Sequence, residues 1–167
     1  MVVMKFNIVL VEPEIPQNTG NIARTCACTG AALHIVKPIG FKLEDKYLKR
    51  AGLDYWSKLD LTVHESLDDF LAFSQGKPMV FATSKGAKNH TQIDYPDGCF
   101  ILFGKETFGL PERLLATDYD RCVRIPMKSE VRCLNLSNSV AIILYEAFRQ
   151  NGFDGLSSDG MLTGRKD

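Results

Sequence analysis

The chain has 167 residues, 45% hydrophobic and 24% charged, which suits one globular domain with its own core and leaves no room for a second domain of normal size. Its 20 basic and 20 acidic residues cancel to a formal net charge of zero, which argues against nonspecific coating of nucleic acid. A neutral chain still allows a local basic patch, whose candidates are Lys42, Lys46, Lys49, Arg50 and Lys58.

The cysteines and the amino terminus favour a cytoplasmic protein. An odd number of cysteines, five in all and mostly among apolar neighbours, fits reduced thiols better than a disulfide framework. Cys26 and Cys28 have no second cysteine pair and no histidine nearby, so we expect no metal site. Residues 1–11 are too few for a membrane span and lack the features of a signal peptide.

Apolar runs alternate along the chain with stretches of helical period, and turn residues separate them. The apolar runs predict strands at residues 6–11, 33–36, 61–63, 79–83, 99–103 and 122–125. The periodic stretches predict helices at residues 18–29, 44–51, 67–73 and 136–150. We expect one domain over residues 1–154 and a flexible polar tail over 155–167, which is rich in Gly, Ser and Asp.

This alternation predicts an α/β protein with a mostly parallel sheet. Ligands of such sheets bind beyond the carboxyl ends of the strands. The chemistry is therefore expected in the loops after Val11, Thr83, Phe103 and Ile125, which are also the loops richest in Gly, Pro, Asn and charge.

A first polar motif, Asn18-Thr19-Gly20-Asn21-Ile22-Ala23-Arg24, follows the first strand. In the simpler interpretation Asn18 or Thr19 caps a helix and Arg24 is a solvated side chain. In the functional interpretation Arg24 reaches back across the strand ends, where it can neutralise a phosphate or favour deprotonation of a sugar hydroxyl.

A second motif, Phe103-Gly104-Lys105-Glu106-Thr107-Phe108-Gly109-Leu110-Pro111, follows a buried strand. Gly104 allows a close backbone approach by a ligand, and Pro111 favours the start of a short helix. The glycine spacing fits neither a phosphate-binding P-loop nor a dinucleotide fingerprint. A plain surface turn is the alternative.

A third motif places Asn135, Ser137, Asn138 and Ser139 where the last helix begins, after Ile125-Pro126-Met127 and Arg132-Cys133-Leu134. Capping needs only one such side chain, so four indicate more than a cap. The exposed N–H groups of a helix start can also bind an anion. Capping alone is the alternative.

Together the three motifs resemble those of the SpoU (TrmH-type) branch of the SPOUT RNA 2′-O-methyltransferases, over about residues 7–152. Residues 11–16 and 50–55 resemble its short subfamily, which methylates the wobble nucleotide 34, a cytidine or a modified uridine, of leucine tRNAs. The resemblance implies helices on both faces of the sheet, a C-terminal trefoil knot, and a homodimer that uses S-adenosyl-L-methionine and binds the anticodon stem-loop of tRNA.

The resemblance also assigns site residues. It implies that six positions bind the cofactor: Ala82, Thr83, Gly104, Ile125, Cys133 and Leu134. It implies that Arg24 activates the ribose hydroxyl and that four polar residues support it: Asn21, Glu106, Asn135 and Ser137. Cys133 stands where the family usually has serine. No motif contains a histidine, so Arg24, a phosphate or water remains as the route for the proton. Methylation of another RNA and a non-catalytic RNA-binding dimer are the alternatives.

Overall fold

The structure, a computed structural model, describes residues 4–43 and 56–162, and of Trp56 only the backbone. The predicted helix at residues 44–51 and the second stretch that resembles the short subfamily, 50–55, lie outside the described residues. Of the candidate basic patch, Lys46, Lys49 and Arg50 also lie outside them, whereas Lys42 and Lys58 are exposed.

The described residues form strands and helices close to those predicted. The strands are β1 (Asn7–Val11), β2 (Ala32–Val36), β3 (Leu61–His64), β4 (Met79–Ala82), β5 (Lys88–Asn89), β6 (Phe100–Phe103) and β7 (Cys122–Arg124). The helices are α1 (Pro16–Thr29), α2 (Leu67–Phe73), α3 (Glu112–Leu115) and α4 (Leu136–Gln150). Single turns of 3₁₀ helix occupy Trp56–Lys58 and Tyr119–Arg121.

The strands form one seven-stranded sheet in the order β3-β2-β1-β6-β4-β7-β5, and every pairing within it is parallel. The predicted mostly parallel sheet is therefore confirmed. Ala82 of β4 pairs with both Phe103 of β6 and Val123 of β7. Because parallel strands point the same way, the loops that follow these three strands meet at one edge of the sheet.

Alternate residues of each strand face opposite sides, and helices cover both sides. One face, with Ile8, Leu10, Ile101 and Phe103, packs against apolar residues of α1 and α4. The other face, with residues such as Val9 and Leu102, packs against α2 and α3. Helices on both faces are thus confirmed, whereas the knot remains a prediction.

Local signals explain where the helices begin and end. Pro16 lies in the first turn of α1, and Gly30 ends the helix in the left-handed conformation with φ of 74°. The Ser66 hydroxyl caps α2 by accepting from the Asp69 N–H at 3.1 Å. No side chain caps α1, whose N-cap is Ile15. The interpretation of Asn18 or Thr19 as its cap was therefore wrong, since Pro16 already starts the helix.

Among the described residues, no helix is both long and apolar enough to cross a membrane. Residues 156–162 contain no helix or strand.

A pair of buried histidines lies between β2, β3 and α2. His34 Nδ1 and His64 Nε2 are 3.1 Å apart, and the two side chains are 4% and 7% exposed. Phe70, Phe73 and Phe100 surround the pair. Burial, with a smaller contribution from the neighbouring His64, lowers the pKa of His34 to about 4. Burial also lowers the pKa of His64.

These lowered pKa values predict a loss of stability in mild acid. Between about pH 6.5 and about pH 4 the unfolded chain binds a proton that folded His34 does not, so the free energy of unfolding should fall by up to about 3 kcal/mol over this range. Urea denaturation at pH 7, 5.5 and 4.5 measures the change. The variant His34→Leu should lose most of the slope, and an equally steep slope in that variant would contradict the assignment.

Candidate active site

A cavity of about 460 Å³ opens at the carboxyl ends of β4, β6 and β7. Four chain segments line it, within residues 82–85, 103–109, 123–127 and 132–143. The lining includes all six positions expected to bind the cofactor: Ala82, Thr83, Gly104, Ile125, Cys133 and Leu134. The expected convergence is confirmed for the loops after Thr83, Phe103 and Ile125, whereas the loop after Val11 is not part of this lining. The binding roles of the residues remain predictions.

Gly104 permits a sharp fold in the loop after β6. A Cβ at this position would overlap the backbone of Gly109 and Leu110. The Gly109 N–H donates to the Lys105 carbonyl at 2.9 Å, and Gly109 itself has φ of +69°. The expected close approach therefore exists, but the neighbour is the protein's own chain. The glycine shapes this wall of the cavity.

The loop after β6 is fastened to the loop after β1 by an exchange between two glutamates. The Glu106 carboxylate accepts from the backbone N–H of Glu14 at 2.9 Å and of Ile15 at 3.2 Å. In return, the Glu14 carboxylate accepts from the Thr107 N–H at 3.1 Å and from its hydroxyl at 2.9 Å. Glu106 is thus held as a hydrogen-bond acceptor, which fits a supporting role better than that of a mobile base.

A chain of amide hydrogen bonds links all three motifs. Asn18 Nδ2 donates to Glu106 Oε1 at 3.0 Å, and Asn135 Nδ2 donates to Asn18 Oδ1 at 2.9 Å. Asn135 Oδ1 in turn accepts from the Ser137 N–H at 2.9 Å and from its hydroxyl at 2.6 Å. Asn18 is 5% exposed and its two bonds are partly buried, whereas the bonds between Asn135 and Ser137 are exposed.

Asn135 therefore does more than cap. It caps α4 by accepting from the N–H groups of Ser137 and Asn138, and it also reaches across to Asn18 on α1. The interpretation of the third motif as capping alone was too narrow. The sequence analysis did not include Asn18 among the site residues. Its position in the first motif, on the buried side of α1, was the signal that could have indicated a role in the site.

Of the five predicted catalytic residues, Glu106 alone belongs to the described lining of the cavity. Asn135 and Ser137 are joined to Glu106 through Asn18. Asn21 and Arg24 lie on the exposed side of α1. In a single chain, then, the described lining does not include Arg24.

The cavity wall mixes apolar and cationic side chains. Ile125, Leu134 and Ile143 offer an apolar surface, while Lys85 and Lys105 contribute ammonium groups. Lys105 donates to Glu12 at 2.7 Å, and this hydrogen bond raises the pKa of its ammonium group. Lys85 pairs with Glu112, which lowers the pKa of that carboxyl.

The described wall can bind a largely apolar ligand with a charged end. It contains no histidine, and in the described part of the chain no group of three or more His, Cys, Asp or Glu side chains is placed to hold a metal ion.

The buried Asn18 bonds lead to a prediction for Asn18→Asp. At neutral pH the new carboxylate would face Glu106 at about the 3.0 Å of the present hydrogen bond. Two carboxylates this close share one proton at lower pH and repel each other above it. We expect the free energy of unfolding to fall by about 2 kcal/mol at pH 8 and by much less at pH 5.5.

Thermal melts of Asn18→Asp and Asn18→Leu at both pH values test this expectation. The leucine variant loses the same two hydrogen bonds without adding charge, so its deficit should not depend on pH. A pH-independent deficit in the aspartate variant as well would contradict the contact with Glu106.

Comparison with known proteins is decisive at the level of the family. The model of the SpoU rRNA Methylase family matches residues 5–145. The chain belongs to the SpoU methylase family. A SpoU methylase domain thus accounts for the sheet, the cavity and all three motifs.

Two relatives of this SpoU methylase are similar over nearly their whole length. The tRNA (cytidine(34)-2'-O)-methyltransferase of Methylovorus glucosotrophus is 51% identical over 151 residues, which are 90% of this chain and 98% of the relative. A solved structure described as "Structural insights into the 2-OH methylation of C/U34 on tRNA" shares 42% identity with a TM-score of 0.86 and covers 90% of this chain and 98% of its own.

A more distant structure is that of the SpoU methyltransferase AviRb from Streptomyces viridochromogenes in complex with the cofactor AdoMet. It is 25% identical to this chain, with a TM-score of 0.79, and the match covers 92% of this chain and 63% of that one.

Proposed function

We propose that the protein transfers a methyl group from S-adenosyl-L-methionine to the ribose 2′-hydroxyl of the wobble nucleotide 34, a cytidine or carboxymethylaminomethyluridine, of leucine tRNAs. The observation that carries the proposal is that the loop after β4 and the second and third motifs line one cavity, while Asn18 joins the first motif to both of them by hydrogen bonds. The relatives named as tRNA (cytidine(34)-2'-O)-methyltransferases support the choice of substrate.

The cavity suits the methyl donor in size and in lining. About 460 Å³ lies within the usual range of about 300–1,000 Å³ for small-molecule sites. Ile125 is suited to pack on the adenine, and Cys133 with Leu134 can contact the donor through backbone groups. When bound, the donor supplies a methyl group already activated by its sulfonium charge. If the serine hydroxyl usual at position 133 bonds the donor in relatives, the cysteine costs at most about tenfold in affinity.

The residues of the protein then have to position the ribose and help its hydroxyl lose a proton. Alignment of two reactants can lower the barrier by several kcal/mol. Arg24 is the candidate for stabilising the developing alkoxide, because a guanidinium keeps its charge at every working pH. Asn21, Glu106, Asn135 and Ser137 are the supporting polar groups, of which three belong to the hydrogen-bonded network with Asn18.

A homodimer is part of the proposal. Ile142 and Tyr145 on one side of α4 and Ile15 at the start of α1 are apolar side chains that are 38%, 46% and 42% exposed. Residues three apart on a helix share a face, so Ile142 and Tyr145 form a patch that a second copy can bury. A dimer also offers a way for Arg24 of one copy to reach a cavity whose own wall lacks it. We further propose that the partner is the anticodon stem-loop of tRNA and that the site of action is the cytoplasm.

A methyl-transfer assay on unmodified leucine tRNAs, with the ribose of nucleotide 34 analysed by mass spectrometry, tests the function. Methylation confined to nucleotide 34 is the expected result. Methylation at another position or of ribosomal RNA would show that the proposed substrate is wrong and that the proposed reaction is right. Absence of donor binding in calorimetry, together with RNA binding, would favour the non-catalytic dimer instead.

A further inference from the structure

Phe108 is the most exposed aromatic side chain of the described residues and lies at the rim of the donor cavity. It is 81% exposed, although it belongs to a loop that is otherwise tied down by Gly104, Glu106 and Thr107. An exposed phenylalanine on a well-held loop contributes little to the core. Its ring is instead available to a ligand that comes from solvent.

A second cavity, of about 390 Å³, lies on the other side of this rim. Phe108 lines both cavities, together with Lys85, Lys105 and Gly109. Lys105 Nζ lies 6.0 Å from the centre of the Phe108 ring. A ring beside ammonium groups is the combination with which proteins bind unpaired nucleotides, because every base has a flat face that can stack.

We propose that Phe108 is a stacking platform for one base of the RNA substrate next to the nucleotide that is methylated, with the second cavity as the site of that neighbouring nucleotide. The proposal rests on the proposed function and adds to it a subsite for RNA. A ribose placed at the donor cavity puts its neighbour on the strand within reach of the shared rim. Phe108 is thus a positioning residue that holds the strand.

The charges of the second cavity indicate that stacking, rather than phosphate attraction, provides most of the binding. Lys105 is paired with Glu12, and Lys85 with Glu112. The two lysines and the two glutamates cancel, so this cavity adds little net positive charge. A contribution that does not come from ion pairs should persist at raised salt, unlike contacts to phosphate.

The test compares Phe108→Leu with Phe108→Trp, since leucine keeps an apolar side chain without a ring and tryptophan keeps the ring. For the leucine variant we expect the KM for tRNA and the Kd for the isolated anticodon stem-loop to rise by between about 5-fold and 150-fold. The kcat at saturating tRNA and the Kd for S-adenosyl-L-methionine should stay close to those of the wild type. The tryptophan variant should bind RNA as the wild type does, also at raised salt.

Phe73→Ala is the matched control, because Phe73 is 58% exposed, packs beside His34 and His64 and lines neither cavity. It should leave the Kd for the stem-loop unchanged. Equal RNA binding by the leucine and tryptophan variants would overturn the proposal. A leucine variant that loses donor affinity and RNA affinity to the same extent would also overturn it, because Phe108 would then cover the bound donor. If the wild type binds the stem-loop but transfers no methyl group, the proposed function is refuted. The stem-loop affinities of the leucine and tryptophan variants would still test whether Phe108 stacks on a base.

Discussion

Gly104→Ala is expected to lower the affinity for S-adenosyl-L-methionine by at least about 100-fold and the melting temperature by roughly 6–12 °C. The added Cβ would occupy the space of the Gly109 and Leu110 backbone, so the loop after β6 has to move. Overpacking of this kind costs about 3 kcal/mol, and each kcal/mol corresponds to roughly 2–4 °C for a chain of this size. The same loop forms a wall of the cavity, which is why the affinity should fall as well.

Alanine variants at two other glycines distinguish the effect of steric overlap from the effect of backbone strain. Gly109 has φ of +69° and free space where a Cβ would lie, so Gly109→Ala should cost only the strain of a left-handed alanine, about 1–2 kcal/mol. Gly160 has free space and an ordinary φ, and Gly160→Ala should change nothing. Calorimetric titration with the donor and thermal melts measure all three variants. Wild-type donor affinity in Gly104→Ala would show that the loop yields easily and that its path does not shape the site.

Arg24→Ala is expected to reduce the single-turnover rate of methyl transfer by about 100-fold or more while leaving donor affinity and thermal stability unchanged. Loss of a group that assists a proton transfer typically costs about 10²–10⁴-fold. Arg24 lies on the exposed side of α1 and outside the described lining of the cavity proposed to bind the donor, so we expect its removal to disturb neither the core nor the bound donor. Rapid-quench measurement at saturating tRNA and donor gives the rate.

The dependence of the rate on pH distinguishes a role in deprotonation from a role in RNA binding. If the guanidinium stabilises the alkoxide, the rate of Arg24→Ala should rise more steeply with pH than that of the wild type, since hydroxide takes over part of the task. Arg24→Lys keeps the charge and should recover part of the rate. A raised KM for tRNA with an unchanged rate would instead assign Arg24 to binding a phosphate.

The sequence was most informative where the signal is local. The predicted bounds of α2 and α4 match the structure residue for residue, because Ser66 and Asn135 cap these helices and their apolar residues repeat with the helical period. Each predicted strand was off by one residue at one end, as for the strand predicted at 99–103 and observed as β6. The two-residue strand β5 was missed, since so short an edge strand leaves no periodic pattern.

The site was predictable at the level of its loops and less so at the level of individual side chains. All six expected cofactor positions line one cavity, because parallel strands bring their carboxyl-end loops together. Asn18 was read as a cap, and the position of its side chain depends on Glu106, which is 88 residues away in the chain. No local pattern reveals such a partner.

By itself, then, the sequence determined most of the secondary structure, the parallel α/β class and the motif loops, since these follow from residue spacing over a few turns or strands. Only the tertiary structure decided the strand order, the exchange between Glu14 and Glu106, and the reason for glycine at position 104. Each of these depends on groups that are distant in the chain and meet only after the sheet has formed. The position of the exposed Phe108 ring between two cavities was also decided only by the tertiary structure, because exposure beside a cavity is a property of the folded surface.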